Sequence, residues 1–286
     1  MHKLDSIAAK DFENEFFRWH KRYPNFKNPK NIADYWGRIY LDGYYDSISF
    51  LADKLAVRKY LEDKGYGYLL PELVGEYNRF EDIDFTQVPE KFALKLNTGS
   101  HLYYICKDKS KMILSDVMKK CHKWLSMNKF VPYSWETHYN NVKPKLMIEK
   151  FIEGIDDDYP IDYKFHCHDG HVDFCMACAQ RETGVKFAMY DREWKKLPYV
   201  KDKNLPKQDI PKPHNLDELI RIAEELSKGI KLVRVDLYTS NDKIYFGEFT
   251  LSPTALTWEF CNDNFIDGYL NDWVEQQVKD LKKVNE

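Results

Sequence analysis

Two carboxylates stand on consecutive segments with the alternating pattern of a β-hairpin. The segments are KLVRVDLYT and KIYFGEFTL, joined by a turn near Asp242. If residue 242 lies at the centre of the turn, Asp236 faces Glu248 and Arg234 faces Thr250. Because side chains alternate along a strand, these four emerge on one face of the hairpin, and the apolar ones cover the other.

The chemistry that this pair could perform depends on what neutralises it. Neighbouring carboxylates repel each other unless a cation lies between them. Hard oxygen ligands suit Mg²⁺, which keeps waters and substrate phosphates as its other ligands, and Arg234 suits an anionic substrate. The same spacing also fits a solvated hairpin face on which Arg234 makes ordinary salt bridges to both acids. Spacing alone leaves both interpretations open.

A lysine at the end of an apolar strand is the second chemical feature. In FALKLN, Phe92, Leu94 and Leu96 share one face of the predicted strand and Lys95 lies on the other. The strand runs into Asn-Thr-Gly-Ser, whose backbone N–H groups could hold a phosphate together with the Lys95 ammonium. The sequence GxxxxGK[ST] is absent, and taken alone the segment is more typical of an ordinary hairpin turn.

Two other motifs are typical of metal or sugar chemistry. Cys175 and Cys178 form a CxxC close to three histidines, as in zinc sites. On a strand, however, positions i and i+3 point to opposite faces, so we predict buried structural cysteines instead. The acidic run 156–158 resembles the DxD of glycosyltransferases that use nucleotide-sugars, but three residues are weak evidence and a solvated acidic loop explains them better.

Composition excludes several classes of protein. The chain has 286 residues, of which 43% are apolar, with only 12 Gly and 12 Pro, so it is neither disordered nor collagen-like. Lys and Arg number 43 against 46 Asp and Glu, which argues against nucleic-acid binding. No segment reaches the roughly 18 apolar residues of a membrane helix, and the six cysteines suggest no disulfide framework. We expect a soluble cytoplasmic protein.

The elements that must position these residues form a mixture of helices and strands. Apolar spacing predicts a helix over 49–64, with Lys54 near its start. Ser115 is a candidate N-cap of a second helix, and Asn215 begins a third in a capping-box pattern. Two strand-like segments pair around Asp169-Gly170. The proline-rich segment 198–214 is a candidate lid. The expected fold class is α+β (mixed α/β).

The ordered series of motifs is more specific than any single one. ADKLAVRKYL, FALKLNTGS, PKLMIEKFIEG, DYKF, VRVDLY and FGEFT together resemble the ATP-grasp superfamily, in particular its teichuronopeptide-biosynthesis (TupA-like) group. The resemblance implies an ATP-grasp fold, with nucleotide clasped between two α+β subdomains. It suggests a mainly helical part at 1–88, a central lid at 89–148 and a C-terminal part at 149–286 with the metal site.

The resemblance also implies ATP and Mg²⁺ as cofactors and a role for each matching residue. It assigns cofactor-binding positions as follows: Lys54, Lys95 and Ser100 at the ATP phosphates, Glu149 with the backbone of Phe151 and Ile152 at the adenine, and Asp162 at the ribose.

The remaining assignments concern the metal and the reacting groups. By the same resemblance, Asp236 and Glu248 match the magnesium ligands, with Thr250 as a third ligand. Arg234 and Arg181 would face the phosphoryl group or the acyl phosphate.

The activity implied is an ATP-dependent carboxylate–amine ligase of capsular or cell-surface polysaccharide biosynthesis. A sugar acid, expected to be a uronic acid, would attack ATP to give an acyl phosphate, and an amine would displace phosphate to form an amide. A glycosyltransferase using a nucleotide-sugar, an ATP-grasp sugar kinase and a non-catalytic binding subunit are the alternatives.

Overall fold

The chain forms helices and two antiparallel sheets. The computed structural model describes residues 7–127, 135–152, 161–179, 185–240, 243–268 and 272–284. Its α-helices are α1 (Ile7–His20), α2 (Ile32–Leu41), α3 (Ala56–Asp63), α4 (Leu114–Leu125), α5 (Leu216–Ser227), α6 (Asp263–Gly268) and α7 (Asp272–Val284). Its strands are β1 (Leu73–Tyr77), β2 (Phe92–Leu96), β3 (Tyr103–Cys106), β4 (Leu146–Lys150), β5 (Ile161–His168), β6 (His171–Ala179), β7 (Lys186–Tyr190), β8 (Lys196–Leu197), β9 (Val233–Ser240) and β10 (Lys243–Thr250).

This mixture of elements confirms the predicted fold class. None of the helices within the described ranges combines the length and the apolar character that a membrane crossing needs.

The smaller sheet has four strands in the order β1-β4-β2-β3. Phe92, Leu94 and Leu96 are buried in a core cluster that includes α4 side chains, as the alternation predicted, while Lys95 stays partly exposed. Since β1 precedes residue 88 and β4 crosses residue 148, this sheet draws on all three of the predicted parts. The three-part division therefore stays a proposal.

The larger sheet is an antiparallel series in the order β10-β9-β5-β6-β7-β8, with α5 packed against β5, β6 and β9. The predicted turn between β5 and β6 is confirmed. Asp169 and Gly170 have φ values of 40° and 83°, which is the pair of positive angles that a type I′ turn requires. The inner side chains of β9, among them Val233, Val235 and Leu237, lie in the main core.

The helix predicted over 49–64 is interrupted, so that prediction was wrong. A 3₁₀ helix covers Tyr44–Ala52, and α3 begins only at Ala56. Between them the Asp53 carboxylate accepts hydrogen bonds from the Leu55 backbone N–H and from Asn97 Nδ2, both at 2.9 Å. This bond to a distant loop takes the place of the next helical turn and leaves Lys54 at the break.

Two predicted caps are also corrected. Ser115 lies inside the first turn of α4, where Ile113 is the N-cap. Asn215 makes no side-chain cap at α5. Its predicted capping-box partner, Glu218, is instead held by Arg221 at 2.7 Å on the helix surface.

The segment 198–214 is anchored along its length. Val200 forms a β-bridge with Cys261, and the Ile210 carbonyl accepts a hydrogen bond from Trp194 Nε1 at 3.1 Å. Both Val200 and Ile210 are buried. These contacts do not support the lid that the sequence suggested.

The cysteines are structural, as predicted. Cys175 and Cys178 lie on β6, and both are buried thiols. Burial raises the pKa of the Cys175 thiol well above its ordinary value. A neutral thiol in an apolar layer is a poor zinc ligand.

A β-bulge at Gly247 aligns the acidic hairpin. Asp236 pairs with Glu248, which confirms the prediction, but nearer the turn Phe246 pairs with Leu237, one position out of step. The register shift falls between Phe246 and Glu248. The prediction of a regular hairpin centred on residue 242 is therefore wrong. The extra residue of the bulge shifts the register by one and so places Glu248 opposite Asp236, as predicted.

The bulge yields a stability prediction. A Cβ at Gly247 would overlap the Tyr238 ring and lie 3.2 Å from the Asp236 carbonyl oxygen. We expect Gly247→Ala to lower the free energy of unfolding by about 1–3 kcal/mol, because the crowded strand must shift. Urea unfolding of both proteins measures this difference.

Gly268→Ala is the matched control, because a Cβ there meets nothing within 4 Å. We expect this control to change stability by about 0.5 kcal/mol or less. Equal effects of the two substitutions would contradict the crowding argument.

Candidate active site

A buried carboxylate with two cationic partners lies on β9 of the larger sheet. Asp236 is 1% exposed. Its oxygens accept hydrogen bonds from Arg234 Nε at 2.6 Å and Nη2 at 2.7 Å, and from Lys164 Nζ at 2.5 Å. Lys164 stands opposite Asp236 in the β5–β9 register and also lies 2.5 Å from Asp162. We call these four residues the charged layer.

The partners of Asp236 decide its ionisation. Burial acts to raise its pKa, but Arg234 and Lys164 outweigh burial and lower it to about 2. Burial likewise acts to lower the pKa of Lys164, and the charges of Asp162 and Asp236 raise it instead. Asp236, Lys164 and Arg234 are therefore ionised throughout the neutral range.

Glu248 lies across the hairpin from Asp236 and is more accessible. Its side chain is 36% exposed and lies 3.6 Å from Arg234 Nη2 and 3.5 Å from Lys54 Nζ. Thr250 Oγ1 donates a hydrogen bond to it at 3.3 Å. Burial acts to raise its pKa, yet Lys54 and Arg234 bring the pKa below its ordinary value. The repulsion expected between the two carboxylates is thus relieved by side-chain cations.

Lys54 joins the hairpin to the loop after β2. Its ammonium donates to the Gly99 carbonyl at 3.1 Å, and its backbone N–H donates to the Asn97 carbonyl at 2.9 Å. Gly99 and His101 have φ values of 78° and 60°, so the loop turns through the left-handed region. The buried Asn97 side chain fixes the loop by donating to Asp53 and accepting from a backbone N–H.

A cleft lies between the two sheets, with about 250 Å³ of space that includes the part open to solvent. Its lining residues are Lys54, Val57, Arg58, Leu70, Pro71, Lys95, Glu149, Phe246 and Gly247. Inside it, Glu149 accepts from Lys95 Nζ at 2.7 Å and from Arg58 Nη1 at 3.1 Å. Three cations and one carboxylate favour an anionic ligand.

Sequence reasoning missed Arg58. Its side chain also donates to the Pro71 carbonyl at 2.9 Å, which fixes it in the cleft wall. The available signal was its place in ADKLAVRKYL, four positions after Lys54. Glu149, its partner, lies 91 positions away, and local spacing cannot show such a contact.

The other predicted cofactor residues are placed as follows. Ser100 is exposed in the loop after β2, and Phe151 and Ile152 are partly buried where the chain leaves the smaller sheet. Asp162 is fully buried in the charged layer and is not among the cleft-lining residues. Its ribose role stays a prediction. Arg181 lies outside the described residues.

The hairpin offers hard oxygen donors for a divalent cation. Asp236 and Glu248 face each other on neighbouring strands, with the Thr250 hydroxyl beside them. The described part of the chain has no group of three or more His, Cys, Asp or Glu placed to hold a metal. The donor set fits Mg²⁺, which commonly completes its shell with waters and substrate phosphates.

The cleft between the two sheets and the acidic hairpin beside it agree with the ATP-grasp fold that the sequence resemblance implied. The chain belongs to the TupA-like ATPgrasp family, whose model matches residues 39–274. This match confirms the predicted family and fold and supports the predicted ligase class. No curated protein shows significant sequence similarity to the chain.

Several solved structures are similar at low identity. D-alanine–D-alanine ligase from Bacillus anthracis, complexed with ATP, is 16% identical with a TM-score of 0.48, over 86% of this chain and 69% of that one. L-amino acid ligase from Bacillus licheniformis is 13% identical with a TM-score of 0.46, over 70% and 43%. The ATP-grasp ligase PsnB, complexed with minimal precursor, Mg and ADP, is 10% identical with a TM-score of 0.41, over 88% and 67%.

The charged layer yields a prediction on stability and pH. Asp236→Asn leaves Lys164 and Arg234 against a neutral amide, and breaking a buried pair from one side costs about 3–5 kcal/mol. The pKa of Asp236 in the folded protein is about 2, below its ordinary value of 3.8. The ionised carboxylate therefore contributes its full stabilisation of the fold above pH 3.8, and this contribution is lost as the pH falls through 2. The deficit of the variant should therefore be largest near neutrality and shrink between these two values.

Urea unfolding in EDTA across that pH range measures the deficit. Glu76→Gln is the control, because Glu76 is 48% exposed in its 2.9 Å pair with Lys145. A surface pair of this kind contributes about 1 kcal/mol or less. A deficit at Asp236 that did not change with pH would contradict the assignment.

Proposed function

We propose that this protein is a cytoplasmic ATP-dependent carboxylate–amine ligase that acts on a sugar acid in capsular or cell-surface polysaccharide biosynthesis. The observation that carries the proposal is the position of Lys54. It lines the cleft together with Lys95 and also lies 3.5 Å from Glu248. One side chain thus connects a cation-lined cleft with a pair of hard oxygen donors.

The cleft suits a nucleotide. Lys54, Arg58 and Lys95 supply charge for the phosphates, and Val57 and Leu70 offer apolar surface for a base. Glu149 holds Lys95 and Arg58 in place and would exchange these partners as ATP enters. Its predicted contact with the adenine amino group belongs to the same proposal.

The acidic hairpin suits the reacting end of the nucleotide. Asp236 and Glu248, with Thr250, would hold Mg²⁺, which when bound supplies charge neutralisation at the phosphate oxygens. Arg234 lies against both carboxylates, and its guanidinium would contact the transferring phosphoryl group. These residues position the reactants and neutralise charge, which is what phosphoryl transfer requires of a protein.

The reaction proceeds in two steps. A carboxylate oxygen of the sugar acid attacks the γ-phosphorus of ATP, the bond to the β-phosphate oxygen breaks, and ADP leaves. The amine nitrogen then attacks the acyl carbon, and inorganic phosphate leaves. The sugar acid follows from the family resemblance, and Lys54, beside the more exposed Glu248, suits its negative charge.

Lys95→Ala tests nucleotide binding. Saturation of the native protein with Mg·ADP near 100 Kd should stabilise it by about 2.7 kcal/mol, which raises the Tm by about 5–10 °C. We expect this shift to disappear in Lys95→Ala because the phosphates lose an ammonium partner. Thermal unfolding with and without Mg·ADP measures it.

Lys150→Ala is the control, since Lys150 is 51% exposed and pairs with Glu72 outside the cleft. It should keep the full shift. If a UDP-sugar stabilised the native protein and Mg·ADP did not, the glycosyltransferase interpretation would replace the ligase interpretation. The candidate DxD of that alternative, at 156–158, lies outside the described residues.

Glu248→Gln tests the metal site. The variant should fold normally, because Glu248 is partly exposed, and should lose at least about 100-fold in turnover when charge neutralisation at the phosphates fails. Amine-dependent ADP release with a panel of uronic acids measures turnover, and circular dichroism measures folding. Full activity would end the metal interpretation, and phosphate transfer to a stable hydroxyl product would make the protein a kinase.

A further inference from the structure

Another buried carboxylate lies beyond the far end of the hairpin. Glu136 is 7% exposed, and Ser252 Oγ donates a hydrogen bond to its Oε1 at 2.6 Å. Ser252 is itself 3% exposed and follows Thr250 by two positions. Among residues 7–127, 135–152, 161–179, 185–240, 243–268 and 272–284, no Lys, Arg or His forms an ion pair with Glu136.

This lack of a cationic partner distinguishes Glu136 from the carboxylates of the site described above. Glu149, Asp236 and Glu248 each lie against lysine or arginine side chains. A buried carboxylate without a countercharge is costly, and a cationic ligand would remove that cost. The charge pattern therefore points to a positively charged ligand group at Glu136.

The backbone beside Glu136 is strained. Thr254, Ala255, Leu256 and Trp258 have φ values of 52°, 49°, 60° and 52°, in the left-handed region that non-glycine residues rarely adopt. The Trp135 indole donates to the Ala255 carbonyl at 3.0 Å and holds this run in place. Strain of this kind persists where the surrounding structure enforces it, and it gathers at binding and catalytic sites.

Tyr139 connects Glu136 with the acidic hairpin. It is partly buried on the 3₁₀ segment Thr137–Asn141, of which Glu136 is the N-cap. Burial and the negative charges of Glu136 and Glu248 raise the pKa of Tyr139, and Arg234 acts to lower it. Tyr139 thus lies close enough to interact electrostatically with Glu136 and with Glu248 and Arg234 of the acidic hairpin.

We propose that Glu136, Ser252 and Tyr139 form the site that binds the ammonium group of the amine substrate, with Glu136 as the acceptor of its proton. This assignment rests on the proposed ligase function and names the site of its second substrate. Oxygen acceptors from a carboxylate and two hydroxyls suit the three N–H donors of a primary ammonium ion.

The proton and bond changes balance as follows. The bound ammonium gives one proton to the Glu136 carboxylate, and the free amine attacks the acyl carbon of the acyl phosphate. The C–N bond forms, the C–O bond to phosphate breaks, and the leaving phosphate takes the second proton. Burial raises the pKa of Glu136 to about 7, against the effect of the Ser252 hydrogen bond, so the carboxyl can exchange a proton near neutrality.

Glu136→Gln with two nucleophiles tests the assignment. Methylamine is protonated at neutral pH and needs the site, whereas hydroxylamine is uncharged and traps an acyl phosphate without it. With glucuronate, galacturonate and Mg·ATP, we expect the variant to lose about 100-fold in amide formation from methylamine. Its hydroxamate formation should stay at the native rate. Methylammonium should also inhibit hydroxamate formation by the native protein and not by the variant.

Asp46→Asn is the matched control. Asp46 accepts a hydrogen bond from Thr137 Oγ1 at 2.7 Å on the same segment, and an amide oxygen can keep that bond. This control should retain both reactions.

The outcomes separate the two proposals. Suppose that the native protein forms hydroxamate. If Glu136→Gln then slows amide formation and hydroxamate formation equally, or slows neither, the amine site is overturned and the ligase proposal stands. The amine site is overturned in the same way if methylammonium is neither a substrate nor an inhibitor of a native protein that forms hydroxamate. If the native protein forms no hydroxamate from these acids, the ligase proposal fails on these substrates and the amine site falls with it.

Discussion

The burial of Asp236 between Arg234 and Lys164 is the constraint on which the site depends. A carboxylate that is 1% exposed must keep its cations, and those cations come from two neighbouring strands. The β5–β9 register must therefore place Lys164 opposite Asp236, and the bulge at Gly247 must bring Glu248 into line. A one-residue slip of either strand would move the charges to the wrong face of the sheet.

The hairpin could be predicted because its information is local. Alternation of apolar and polar residues places Asp236 and Glu248 on one face, and this followed from a period of two in a single short segment. The bulge could not be predicted in this way, since it depends on the close approach of Gly247 to the Tyr238 ring on the next strand. The sequence thus predicted the pairing of Asp236 with Glu248 correctly, although it assumed a regular hairpin without the bulge.

Other parts of the structure depend on contacts between distant segments. The break before α3 exists because Asp53 is bound by Asn97, 44 positions away, and nothing in the helical pattern of 49–64 indicates it. The partners of Arg58 and Glu136 lie 91 and 116 positions away. The family resemblance could name Lys54 and Lys95 as candidates by position, but only the folded chain shows that Lys54 lies against Glu248.

The ion pairs of the cleft have a thermodynamic consequence. Lys95 already has Glu149 as its partner and Lys54 already has Glu248, so an entering polyphosphate must exchange partners and not simply fill an empty positive site. When Lys54 turns to a phosphate, the carboxylate of Glu248 loses a counter-ion that a divalent cation can replace. Nucleotide and metal should therefore bind with positive cooperativity, each raising the affinity for the other by the same factor. An anion that brings no metal with it gains little binding free energy, because it leaves the Glu248 carboxylate without a replacement cation. The site should therefore select against free phosphate and other small anions.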